Sequence, residues 1–158
     1  MKLARTIHFD ESDQNVFARP AESGEWAIPG GFEFSNWTEA ELTGKARQAF
    51  ANGWLGLDSF GRATFVAVAQ IEPAEVDAVT EALAAHFVTY YGAPDVEAAK
   101  GVAAEEISFM AELCEDHAPN TLLAVSRELT DAGVKEGFRH IVPQDAEIDI
   151  VAVHGDLP

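Results

Sequence analysis

The chain has 158 residues, of which 27 are acidic and 10 basic, for a formal charge of −17 at pH 7. At 47% hydrophobic and 23% charged it has the composition of a folded domain, not of a disordered chain. The acid excess argues against generic binding to nucleic acid or to an anionic membrane surface, because both partners need a positive field.

The length suits a single domain over residues 1–158. The first ten residues contain no apolar core of the kind a secretory signal needs. The longest strongly apolar run, residues 63–71, falls well short of the roughly 20 residues that span a bilayer. Cys114 is the sole cysteine, so neither an internal disulfide nor a cysteine-rich zinc site is expected, and a reducing cytoplasm is the expected compartment.

Residues 3–9 alternate, with Leu3, Ile7 and Phe9 on one face and Ala4, Thr6 and His8 on the other, which predicts a half-buried strand. A second short strand is expected over residues 15–19, closed by Pro20. Trp26, Ile28, Phe32 and Phe34 surround Pro29-Gly30-Gly31, which reads as a turn or bulge. Thr38 and Glu41 make a capping box, and Leu42, Ala46, Ala49, Phe50 and Gly53 follow at helical spacing, predicting one helix up to Asn52-Gly53. Residues 62–71 are apolar on both faces and predict a central strand. Pro73 opens a helix whose Val76, Val79, Leu83, Phe87 and Tyr90 share a face down to Gly92. Pro94-Asp95 opens another to about His117, with Ala103, Ile107, Met110 and Cys114 inward and Gly101 a place for a bend. Strands over residues 121–129, 137–142 and 147–154 close the chain. The order βββ-α-β-αα-βββ with short loops predicts an α+β fold, a largely antiparallel sheet with helices packed on one face.

Trp26-Ala27-Ile28-Pro29-Gly30-Gly31-Phe32-Glu33, followed by a helix ending Ala51-Asn52-Gly53-Trp54, resembles the opening of a Nudix hydrolase box. In that family helix glutamates hold the divalent cations of diphosphate hydrolysis. Here five residues lead from Gly31 to Trp37, where the box has Glu. Closing the box on Gly53 needs one inserted residue and puts Ala46-Arg47 at its Arg-Glu pair and Phe50-Ala51 at its paired glutamates. Hard cations need charged oxygen ligands, so the likeness implies no metal site, and no cofactor is expected. The strings VFARPAESGEWAIPGGF and ELTGKARQAFANGWLGL are similar to those of a family of short bacterial proteins known only as a domain of unknown function. That resemblance spans essentially the whole chain and carries over no activity, cofactor or catalytic residue.

Cys114 and His117 lie three residues apart on one helical face, a spacing that suits a metal or a Cys–His nucleophile. A metal would need a further ligand, and His86 on the preceding helix is too far along an antiparallel pair to supply it. Core packing of Cys114 and a C-terminal-turn role for His117 are the simpler expectation. His8, His140 and His154 lie on or near strands with no partner legible. A final hairpin centred on Gly133 would set Arg127 opposite Arg139, and like charges so placed need an anion between them. Glu147 or Asp149 is the internal candidate, and a bound carboxylate or phosphate the external one. Trp26 and Trp37 flank the Pro-Gly-Gly turn as a candidate pocket or partner patch. The expected function is a non-catalytic accessory or binding protein acting through a protein partner or self-association. The alternative is a small hydrolase or transferase built from Cys114, His117 or the Arg127/Arg139 pair.

Overall fold

The computed structural model describes residues 1–8 and 13–141. In chain order it contains β1 (Lys2–Ile7), the single helical turn α1 (Asp13–Val16), β2 (Trp26–Ile28), 3-10 turns at Gly31–Phe34 and Glu39–Glu41, α2 (Gly44–Asn52), β3 (Trp54–Gly56) and β4 (Arg62–Ala63). There follow β5 (Phe65–Gln70), α3 (Pro73–Tyr91), α4 (Val96–Cys114), β6 (Leu122–Thr130) and β7 (Gly133–Ile141). The strands make one seven-stranded sheet in the order β4-β3-β2-β1-β5-β6-β7 with every pairing antiparallel, so the fold is α+β as expected. α3 and α4 pack together, α4 also rests on β1 and β2, and α2 rests on β6.

β1 runs between β2 and β5, so Leu3, Ala4 and Thr6 are all buried and the strand is interior, not half-buried. The single strand expected over residues 62–71 is two: β4 lies at the edge of the sheet, whereas β5 lies between β1 and β6 with Val66 and Val68 buried and its other face only partly so. α3 starts on Pro73 behind a reciprocal Glu72–Glu75 cap and stops at Gly92, whose φ of +75° suits a residue without a side chain. Val79, Leu83 and Phe87 point into the core, but Tyr90 does not, being 65% exposed. Asp95 caps α4 by accepting from the Ala98 N–H, and the helix passes through Gly101 unbroken. Its Ala103, Ile107, Met110 and Cys114 are buried as predicted.

Three local expectations are corrected. Residues 15–19 are not a strand: the segment is the end of α1 followed by bends, and it is anchored by the buried Phe17 and by Arg19 C=O accepting from Arg62 N–H. The Thr38–Glu41 capping box closes a 3-10 turn rather than a long helix, and α2 begins only at Gly44, whose φ of +55° interrupts the helical path. The final hairpin turns through Asp131-Ala132, with Thr130 paired to Gly133, and not about Gly133 itself. That register sets Arg127 opposite Glu136 and Arg139 opposite Ala124, so the two arginines lie on opposite faces of the sheet. The strand expected over 147–154, with Glu147, Asp149 and His154, and residue Phe9 lie outside the described residues.

Candidate functional site

Two buried arginines organise the Pro-Gly-Gly segment. Arg62, on β4, donates from Nη1 to the carbonyls of Pro29 and Gly53 (both 3.1 Å), and from Nη2 to Gly30 C=O (3.0 Å) and Glu33 Oε1 (2.7 Å). Arg127, on β6, donates to the same Pro29 and Gly53 carbonyls (2.5 and 3.0 Å), to Phe50 C=O (2.9 Å) and, from Nε, to Glu136 (2.7 Å). Carbonyls at a helix C-terminus have no partner within the helix and carry partial negative charge. α2 has no basic residue in its own last turn, so cations from β4 and β6 fill that role. Burial lowers the pKa of both guanidiniums; Glu33 opposes this at Arg62 and Glu136 at Arg127. The buried Phe34 ring serves both, with Arg62 Cζ 4.7 Å and Arg127 Cζ 5.2 Å from its centroid.

This clamp explains the glycines. Gly30 has φ +67°, and a Cβ there would stand 2.6 Å from Leu55 Cβ and 3.1 Å from Arg62 Nη1. At Gly53 a Cβ would sit 2.7 Å from the Ala49 carbonyl oxygen. The letters that resemble a Nudix opening therefore have a packing reason of their own.

Beside the clamp lies a cleft of about 430 Å³ between α2, the C-terminal end of α3 and the segment after α1. Such a volume is within the range of small-molecule sites, about 300–1,000 Å³. Arg62 and Glu33 stand at its floor, with Trp37, Phe60 and His86 on its walls. His86 lies flat on Phe60, ring centroids 3.9 Å apart and planes 2° from parallel. Burial, then the charge of Arg19, lowers the His86 pKa, so the ring favours its neutral form. Tyr91 is pinned edge-on by Phe32 and Phe87, and burial followed by Glu33 raises its phenol pKa, leaving the hydroxyl protonated as a donor. Arg19 and Lys45 also line the cleft, both exposed, and neither has an ion-pair partner among the described residues.

The residues singled out by sequence scatter. Trp26 belongs to the main core, roofed by the Arg5 guanidinium at 3.9 Å and donating to Glu75, whereas Trp37 packs edge-on against Phe34 and lines the cleft. Arg127 is in the clamp; Arg139 is exposed and shares a hollow of about 150 Å³ with His117 and His140, whose rings are 4.7 Å apart. β1 and β7 are not neighbours, so His8 and His140 do not pair. Cys114 is fully buried, and burial pushes its thiol up to about 12. The folded protein is accordingly expected to leave Cys114 unmodified by a disulfide reagent at pH 8 and to react fully once unfolded in urea; rapid modification of native protein would contradict this packing. Arg62 and His86 carry the cleft; Arg62 gives no signal in the sequence, because a strand of two residues leaves no periodicity to read, and His86, on the long helix α3, stands out there only as a metal ligand too distant from Cys114 and His117.

The whole chain, residues 1–158, matches the family of unknown function DUF6505. The chain belongs to that family. No curated protein and no solved structure is significantly similar to it. Family membership thus agrees with the resemblance read from the sequence and adds no activity. Among the described residues, no helix is long and apolar enough to cross a membrane, and no group of three or more His, Cys, Asp or Glu side chains is placed to hold a metal ion.

Proposed function

We propose that this member of DUF6505 is a non-catalytic, cytoplasmic binding protein whose cleft holds a small anionic molecule. One observation carries the reading: in a chain of net charge −17, three of the ten basic residues, Arg19, Lys45 and Arg62, line one aromatic-walled cleft in which Glu33 is the single acid among the described lining residues. A local excess of positive charge in an acidic protein concentrates anions, and low-dielectric walls focus the field. The non-catalytic part is supported by the state of the reactive groups. His86 is held flat on Phe60, Glu33 is bonded to Arg62, and Cys114 is sealed in the core. A protein partner is the second reading, favoured by Val102 and Phe109 of α4, which stand 53% and 42% exposed at helical spacing on one face.

Melting curves with matched anionic and neutral versions of one ring compound test the first reading. An anion at about 100 times its Kd should stabilise by roughly 2.7 kcal/mol and raise Tm by several degrees, and its neutral analogue should do less. The rise should fall sharply in an Arg19→Ala, Lys45→Ala double variant. No rise with any anion, or an undiminished rise in the double variant, would reject the cleft as the site.

A further inference from the structure

The floor of the cleft contains a carboxylate already. Arg62 has four terminal N–H bonds; three go to the backbone carbonyls of Pro29, Gly30 and Gly53, and the fourth goes to Glu33. The three carbonyls belong to a segment that Arg127 grips from the other side at Pro29 and Gly53, so they are fixed. Glu33 is different: its side chain is 38% exposed, against 5% for Arg62, and it lines the cleft. A guanidinium this deeply buried needs a counter-charge, but nothing requires that charge to come from the same chain.

Resting on the binding reading above, we propose that Glu33 is a placeholder: the ligand is an aromatic carboxylate whose carboxylate replaces that of Glu33 on Arg62 Nη2. The 2.7 Å contact shows the seat accepting a carboxylate group. The exchange conserves charge at Arg62, one carboxylate leaving for solvent as another arrives. Arg19 and Lys45, the exposed cations of the lining, draw the anion in. The ring is received by the Phe60–His86 stack and by Tyr90 and Tyr91, all within the same cleft. Neutral His86 suits this role, because the seated carboxylate is already balanced by Arg62. The arrangement makes affinity a competition, so that only an anion with added ring contacts displaces the internal carboxylate.

Isothermal titration with 2-naphthoate, against 2-naphthamide and cyclohexanecarboxylate as neutral and non-aromatic controls, tests it on the full chain. Wild type should bind 2-naphthoate in preference to both controls, and Glu33→Gln should bind it at least fivefold more tightly, since a competing charge is gone. A second measurement does not depend on that variant folding well: in wild type saturated with 2-naphthoate, a crystal structure should show Glu33 turned away from Arg62 and the ligand carboxylate on Nη2. Equal or weaker binding by folded Glu33→Gln, or Glu33 still bonded to Arg62 in the complex, overturns the placeholder while leaving the cleft as a binding site. Naphthoate binding to neither protein, with no anion raising Tm either, overturns the binding reading itself.

Discussion

Arg127→Met is expected to cost roughly 3–5 kcal/mol of stability, the range for removing one partner of a buried ion pair. The side chain of Arg127 is fully buried, and besides Glu136 four carbonyls accept from it, those of Pro29, Ala49, Phe50 and Gly53. Methionine fills much of the volume but donates nothing, so Phe50 C=O loses its side-chain donor and Glu136 its counter-ion, while Pro29 and Gly53 keep only their bonds from Arg62. Each buried polar group left unmade costs about 1–3 kcal/mol. For a chain of this size the melting temperature should fall by roughly 10 °C. Arg139→Ala is the internal control. Arg139 is exposed on the other face of the hairpin, and its removal should stay within about 0.5 kcal/mol. Urea unfolding of both variants checks the pair. Similar losses from the two would contradict the register that separates them.

Gly30→Ala should be nearly as damaging, and for a different reason. A left-handed backbone costs a residue with a Cβ about 1–2 kcal/mol, and the φ there is +67°. The new methyl would also meet Leu55 Cβ at 2.6 Å and Arg62 Nη1 at 3.1 Å, and overpacking of this kind costs about 1–3 kcal/mol. The sum is roughly 2–5 kcal/mol. Gly44→Ala separates the two contributions, because Gly44 has φ +55° but nothing within 4 Å of its added Cβ. It should lose only the backbone part, about 1–2 kcal/mol. If equilibrium unfolding gave the two alanine variants equal losses, close packing of the Pro-Gly-Gly segment onto Arg62 would not be the reason for its glycines.

Long periodic segments were legible and short ones were not. Ala103, Ile107, Met110 and Cys114 declare the inner face of α4 because their spacing matches the turn of a helix. Residues 15–19 read as a short strand closed by Pro20, yet the chain there bends to seat Phe17 and to meet Arg62, a partner more than forty residues away. The hairpin of β6 and β7 was recognisable, but its register hung on which residues formed the turn. An odd offset was enough to move Arg139 to the far face. Trp37 lines the cleft, while Trp26, equally conspicuous, is core. An aromatic side chain looks the same in sequence whichever of the two surfaces it meets.

The acid excess, the absence of a Nudix metal box and the α+β order are properties of the sequence by itself, since each depends only on residue counts or on contacts within a few positions. What only the tertiary structure decided is where the scarce cations go. Arg62 and Arg127 stand 65 positions apart, on strands separated in the sheet, and meet because both satisfy the same two carbonyls, those of Pro29 and Gly53. Backbone carbonyls have no sequence signature, so a site built on them is invisible until the chain is folded. The charge of −17, read as a total, says only that acids outnumber bases. Folded, the chain gathers Arg19, Lys45 and Arg62 along one cleft, because contacts between distant segments decide which few charges stand together.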